Sequence, residues 1–197
     1  MGKIYCIMGK SSSGKDSIYQ KIMESGIPGL EPLIPYTTRP IREGEVEGKE
    51  YHFCTESRMQ ALEAAGKVIE RRTYHTVYGD WTYFTVDDGE LNPAGRNYLY
   101  IITLEGYLKI RNYFGNKLVM PIYIEVEDGE RLIRAIEREK RQEFPKYEEM
   151  CRRFIADAAD FSEEKLKDAK IAKRFVNRDF ADIIRQIITY ITDDMTK

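Results

Sequence analysis

The feature that most constrains this chain lies in its first seventeen residues. Ile4-Tyr5-Cys6-Ile7-Met8 is a short, continuous apolar run. Bounded by a glycine-rich turn, such a run predicts a strand buried on both faces of a parallel sheet. Gly9-Lys10-Ser11-Ser12-Ser13-Gly14-Lys15 follows at once, and Ile18, Ile22 and Met23 then recur at helical spacing up to Gly26. A strand, a turn with glycines five residues apart, a lysine and a helix form the setting of a phosphate-binding loop. The glycines let the backbone turn its N–H groups inward, the helix start adds a positive end, and Lys15 brings a mobile cation. Gly9, Ser11, Ser12, Ser13, Gly14, Lys15, Asp16 and Ser17 are therefore the expected triphosphate contacts.

Asp16 stands where such loops carry a hydroxyl that reaches Mg²⁺. Ser17 is one residue late and about 100° away around the helix. Three accounts stay open. Asp16 takes the metal role itself, or it caps the helix and leaves the metal to water and phosphate, or metal–nucleotide binding is weakened.

The rest of the chain fits one domain. Its 197 residues suffice for one buried core with insertions. Apolar runs at Tyr98–Ile102 and Met120–Val126 predict further buried strands, with a helix over Leu104–Phe114 between them, a short strand over Ala172–Val176 and a closing amphipathic helix over Phe180–Ile191. Strands alternating with helices predict an α/β fold, a central parallel sheet covered on both faces. Between them, Glu56–Gly66 predicts a helix and Val68–Thr85 antiparallel strands. The expected division is a core of 1–34, 88–126 and 169–197, a small α+β insertion over 35–87 and a helical lid over 127–168. A net charge of −2 excludes a strong pull toward nucleic acid or anionic membrane. No run reaches the roughly 18 apolar residues of a membrane span. Cys6, Cys54 and Cys151 form no metal pattern and cannot all pair, which predicts a reducing, cytoplasmic setting.

Residues 37–53 read TTRPIREGEVEGKEYHF. Arg39 and Arg42 offer forked donors to a phosphate dianion, Glu45 adds an acid and Tyr51 a hydroxyl. The stretch closely resembles the guanylate kinase signature TTRxxRxGExxGxxYxF, at the expected distance after the phosphate loop. The resemblance extends over most of the chain. It implies that Glu70 in VIERR reads the guanine ring and that Tyr78, in Tyr78-Gly79-Asp80, contacts the acceptor phosphate. It also implies that Asn177 lies near the donor nucleotide, and that the 131–142 segment is a lid closing over the reacting phosphates. Of the helix arginines Arg131, Arg134, Arg138 and Arg141, motif position favours Arg134 and Arg138 as catalytic, with Arg153 on the returning helix and Lys15 and Arg39. Positive charge around a migrating phosphoryl group is what such a transfer requires.

The implied activity is transfer from ATP, with Mg²⁺, to GMP, giving ADP and GDP, by a monomer or homodimer with no nucleic-acid or membrane partner. The alternatives are a binding module with weakened catalysis and a kinase for another nucleoside monophosphate. Four departures from the family bear on that choice. Asp16 replaces the loop hydroxyl. Pro35 replaces a serine that touches guanine. Asp80 replaces a threonine or serine, and is expected to supply a second acceptor for guanine N–H groups. Ile101 and Thr103 fill two aspartate positions, with Glu105 in place of a glutamine, so Asp16 becomes the one candidate metal ligand.

Overall fold

The computed structural model describes residues 2–76, 79–89 and 91–196. Five parallel strands form the central sheet: β1 (Ile4–Met8), β2 (Leu30–Pro32), β7 (Asn97–Ile101), β8 (Val119–Glu125) and β9 (Arg174–Val176), in the order β2-β7-β1-β8-β9. β1 is central, pairing Cys6 with Tyr100 on one side and with Pro121 on the other. All five of its residues are buried, which is why they read as an unbroken apolar run.

Because side chains alternate along a strand, β1 feeds two cores. Tyr5 and Ile7 pack with Ile18 and Ile22 of α1 (Lys15–Glu24) and with Ile183, Ile187 and Ile191 of α7 (Phe180–Met195). Ile4, Cys6 and Met8 pack on the opposite face with Leu104, Tyr107 and Ile110 of α3 (Leu104–Phe114) and Leu166 of α6 (Glu163–Asp168). Burying each of the α7 isoleucines contributes roughly 1.5–3 kcal/mol. The α7 stripe runs one turn beyond the expected Ile191, to Met195.

A second sheet of four strands, β4-β3-β6-β5, comprises β3 (Tyr36–Thr37), β4 (His52–Phe53), β5 (Val68–Thr76) and β6 (Gly79–Val86). One face is covered by Met59 and Leu62 of α2 (Glu56–Ala64), which pack on Phe84 and Val86. The short strands β2 and β3 lie in a proline-broken stretch where the sequence announces no strand, and Gly29 and neighbouring prolines keep them brief. After β8 the chain turns helical through α4 (Asp128–Lys140) and α5 (Tyr147–Asp160) before α6. Among the described residues the three cysteines are free, and no helix is long and apolar enough to cross a membrane.

Candidate active site

The loop between β1 and α1 has the geometry its composition demands. Gly14 has φ +86°, a left-handed conformation that suits glycine, and a Cβ there would lie 2.8 Å from Asn177 Nδ2. A Cβ on Gly9 would lie 2.7 Å from the Ile124 carbonyl oxygen. The loop is thus pressed against the ends of β8 and β9. Asn177 donates from Nδ2 to the Ser13 carbonyl at 2.9 Å, and its own backbone N–H bonds Glu125 O. Asn177 is therefore the brace of the loop. The Ser12 and Ser13 hydroxyl oxygens are buried without a partner, as expected of polar groups that await a ligand's oxygens. Lys15 Nζ lies 3.5 Å from Asp16, whose carboxylate projects into solvent from the first turn of α1. Ser17 is exposed on the next position of that helix. A cleft of about 720 Å³ opens beside the loop, lined by Lys10, Glu125, Asp128, Arg134, Asn177 and Arg178 among others.

Helices α4 and α5 reach the loop through a residue the sequence did not single out. Arg131 is 1 % exposed, so it is the most deeply buried of the lid arginines. It donates to the Ser11 carbonyl at 2.9 Å and to Asp128 at 2.8 Å, lies 3.4 Å from Asp157, and its guanidinium sits over the Phe154 ring. Asp157 in turn accepts from the Ser11 backbone N–H at 2.7 Å. An arginine from α4 and an aspartate from α5 therefore clamp the two peptide groups that flank Ser11 of the loop. Of the expected lid arginines, Arg134 pairs with Glu130 and approaches Asn177 O at 3.5 Å. Arg138 is exposed, 3.7 Å from Glu139, and Arg153 is exposed and paired with Glu149. The structure brings Arg134 to Asn177 and the cleft beside the loop, and leaves Arg138 and Arg153 on the helix surface. The only cue to Arg131 was its place in the arginine series. Its burial depends on the fold.

On the second sheet, Arg39 is 3 % exposed and fully engaged. It makes a forked pair with Glu45 at 2.7 and 3.0 Å, donates from Nε to the Tyr83 hydroxyl, and stacks over Tyr51 and Phe53. Burial pulls its pKa down, but Glu45 and Tyr83 outweigh that and leave it above the usual arginine value. The hydrogen bond from Arg39 holds the Glu45 carboxyl below the ordinary range. Arg42 donates its backbone N–H to Glu45 and stacks over Trp81. Arg39, Arg42, Glu45 and Tyr51 thus form one cationic, aromatic-walled cluster. Tyr78 lies outside the described residues.

Glu70 reaches the same face because of a bulge. The β5–β6 register pairs Val68 with Val86 but Glu70 with Thr85, so one extra residue sits on β5. Without it Glu70 would oppose Phe84 and face α2, since a one-residue slip reverses every side chain. With it, Glu70, Arg72, Tyr83 and Thr85 share the face that carries Arg39. Glu70 is 2 % exposed and accepts from Thr85 at 2.8 Å and from Arg72 Nε at 3.1 Å. Thr85 also bonds the Tyr100 hydroxyl of β7, and Arg72 reaches toward Thr103, the N-cap of α3. Asp80 is not brought to Glu70. It lies near the hairpin tip, paired with His75 at 2.7 Å and five residues along β6 from Thr85, about 16 Å at strand rise. Pro35 ends the approach to β3, its carbonyl accepting from His52. Ile101 pairs with Ile7 at the end of β7, offering no carboxylate there.

Thr103 follows β7 directly and the phosphate loop follows β1, its neighbour in the sheet. Both the loop and the Glu70–Arg72 cluster therefore converge on the carboxyl ends of the central strands, where α/β sheets bind ligands.

Comparison with known proteins agrees with this fold. A family model described as guanylate kinase matches residues 1–191. The guanylate kinase of Chromobacterium violaceum is 30% identical over 139 residues, 68% of this chain and 63% of that protein. That of Coxiella burnetii is 33% identical over 138 residues, 66% and 63% respectively. That of Neisseria gonorrhoeae is 32% identical over 113 residues, 56% and 53%. The matched stretch thus spans between about half and just under two thirds of these relatives' own length. The crystal structure of guanylate kinase from Anaplasma phagocytophilum shares the fold, with a TM-score of 0.64 at 23% identity, covering 100% of this chain and 87% of that one. With the family model spanning all but the last few residues, the chain belongs to the guanylate kinase family.

Proposed function

We propose that this protein transfers the γ-phosphoryl group of ATP to GMP, giving ADP and GDP. The observation that carries this reading is the convergence of two phosphate-binding surfaces on one end of the central sheet. One is the Gly9–Lys15 loop with its unpartnered serine hydroxyls. The other is the Arg39–Glu45–Tyr51 cluster, joined to the core through Glu70, Thr85 and Tyr100.

In this reading the core 1–34, 88–126 and 169–197 carries the donor, residues 35–87 the acceptor and residues 127–168 the lid. Loop N–H groups and Lys15 hold the donor phosphates. Arg39 is held in place by Glu45 and Tyr83, and reaches the acceptor phosphate by exchanging part of its fork with Glu45 for phosphate oxygens. Arg42 and Tyr51, with Tyr78, complete the acceptor-phosphate seat, and Glu70 meets the base. Arg134 lies close enough to the loop to answer developing charge, and closure of the lid over it excludes water. No covalent intermediate is required.

Among the described residues no three His, Cys, Asp or Glu side chains are grouped to hold a metal. That suits Mg²⁺ in this kind of site, because Mg²⁺ keeps several waters and is bound by one or two carboxylates plus substrate phosphates. Asp16 is the residue that would hold it beside Lys15. When bound, the ion would neutralise charge on the donor's phosphates.

The test is ADP formation from ATP and Mg²⁺ with a panel of nucleoside monophosphates. GMP-dependent turnover that falls by at least about a thousandfold in Lys15→Ala is the expected outcome. GMP binding with no turnover for any acceptor would identify a binding module instead.

A further inference from the structure

The Glu70 carboxylate is already occupied by a group shaped like the base it is expected to meet. Guanine offers a carboxylate two adjacent N–H donors, from N1 and from the 2-amino group, and these belong to a guanidine built into the ring. Arg72 presents the same pair from its side chain. Its Nε donates to Glu70 Oε2 at 3.1 Å and its terminal nitrogen approaches Oε1 at 3.4 Å. The second terminal nitrogen reaches Thr103 Oγ1 at 3.4 Å. Oε1 is further engaged by Thr85 at 2.8 Å.

The pair is well sheltered: the Glu70 side chain has no solvent exposure and that of Arg72 is 16 % exposed. A carboxylate has about four acceptor positions, and three are taken. What remains cannot receive a two-donor edge side by side. Arg72 sits two residues along β5 from Glu70, on the face that carries Tyr83 and Arg39. It therefore stands in the space between the carboxylate and the acceptor-phosphate cluster.

We propose that Arg72 is an intramolecular competitor for guanine, and is the residue that sets how strongly this site prefers a guanine monophosphate over one lacking the 2-amino group. The proposal rests on the acceptor-site reading above. GMP gains its full contact with Glu70 only after Arg72 swings out, so its apparent affinity is reduced by the fraction of molecules in which the seat is free. A monophosphate whose base offers Glu70 only the single N1–H donor can use the acceptor position that remains, and incurs no such reduction. The two effects together compress the selectivity for guanine.

Calorimetric titration with GMP and with IMP, which lacks the 2-amino group, tests this in the wild type and in Arg72→Ala. The wild type should favour GMP by less than about tenfold, and Arg72→Ala should raise that ratio by about tenfold or more, through tighter GMP binding. Arg72→Gln, which keeps one amide donor for Glu70 but no fork, should fall between them and serves if the alanine variant does not melt cooperatively. In the unmutated protein, the Nε–H resonance of Arg72 should shift on adding GMP and not on adding inorganic phosphate. An unchanged or lower GMP/IMP ratio in the variants, no GMP binding by any of the proteins, or an Arg72 resonance indifferent to GMP would overturn the proposal. The binding ratios are independent of turnover. Failure of the kinase reading, seen as no ADP from any acceptor, thus leaves the Arg72 result standing by itself.

Discussion

At Gly14 a single added carbon would meet two penalties at once. Its φ of +86° suits glycine, and an added methyl would meet the amide of Asn177 at 2.8 Å, the group that braces Ser13. Gly14→Ala combines backbone strain with a displaced brace. It should cost roughly 1–3 kcal/mol in urea unfolding and, on the proposed function, weaken ATP binding through the same peptides. The glycines, Lys15, Arg39 and Arg42 were all legible in the sequence, because their roles rest on spacing and backbone freedom within a few residues. The partners they take were not. Nothing local says that Arg39 is saturated by Glu45 and Tyr83, or that Asp80 bonds His75 well away from Glu70.

Elements decide which arginines face inward. On α4, Arg131 lies under the lid and clamps the phosphate loop together with Asp157 of α5. Removing one member of a buried charge pair leaves the other uncompensated, so Arg131→Ala should lower stability by about 3 kcal/mol. Adding Asp157→Asn to it should cost much less than it does alone, a coupling that a double-mutant cycle in urea measures. The surface of α5 makes a different kind of pair. Hydrogen bonds from Arg152 and then Arg153 hold the Glu149 carboxyl down at about 2. A depressed carboxylate contributes stability that is fully present above its unfolded pKa, near 4.5, and is lost as pH falls toward the folded value. Carboxyl NMR should show Glu149 titrating at about 2. Because Glu149 is partly solvated, the accompanying loss of helix stability should be a few tenths of a kcal/mol. The arginine ladder itself was visible in the sequence. Its inner and outer faces were not, since they depend on how α4 and α5 lie on the loop.

At the scale of the whole molecule, the phosphate loop ties α1, β8, β9 and both lid helices together through Asn177, Arg131 and Asp157. A ligand on that loop therefore stabilises the fold as a unit. At a hundred times its dissociation constant, ATP with Mg²⁺ should contribute about 2.7 kcal/mol. For a chain of this size that is roughly 5–11 °C in Tm, measured by scanning calorimetry, and Lys15→Ala should abolish the shift. By itself the sequence determined the parallel α/β core and, through the spacing of residues 9–15 and 37–53, the family, because each is written in local periodicity or in fixed spacing along the chain. The tertiary structure alone decided that a bulge in β5 turns Glu70 onto the sheet face that carries Arg39, that Arg72 meets it there, and that Arg131 is buried. Strand register and helix packing are set by contacts between residues far apart in the chain, and a shift of one residue in either exchanges the inside for the outside.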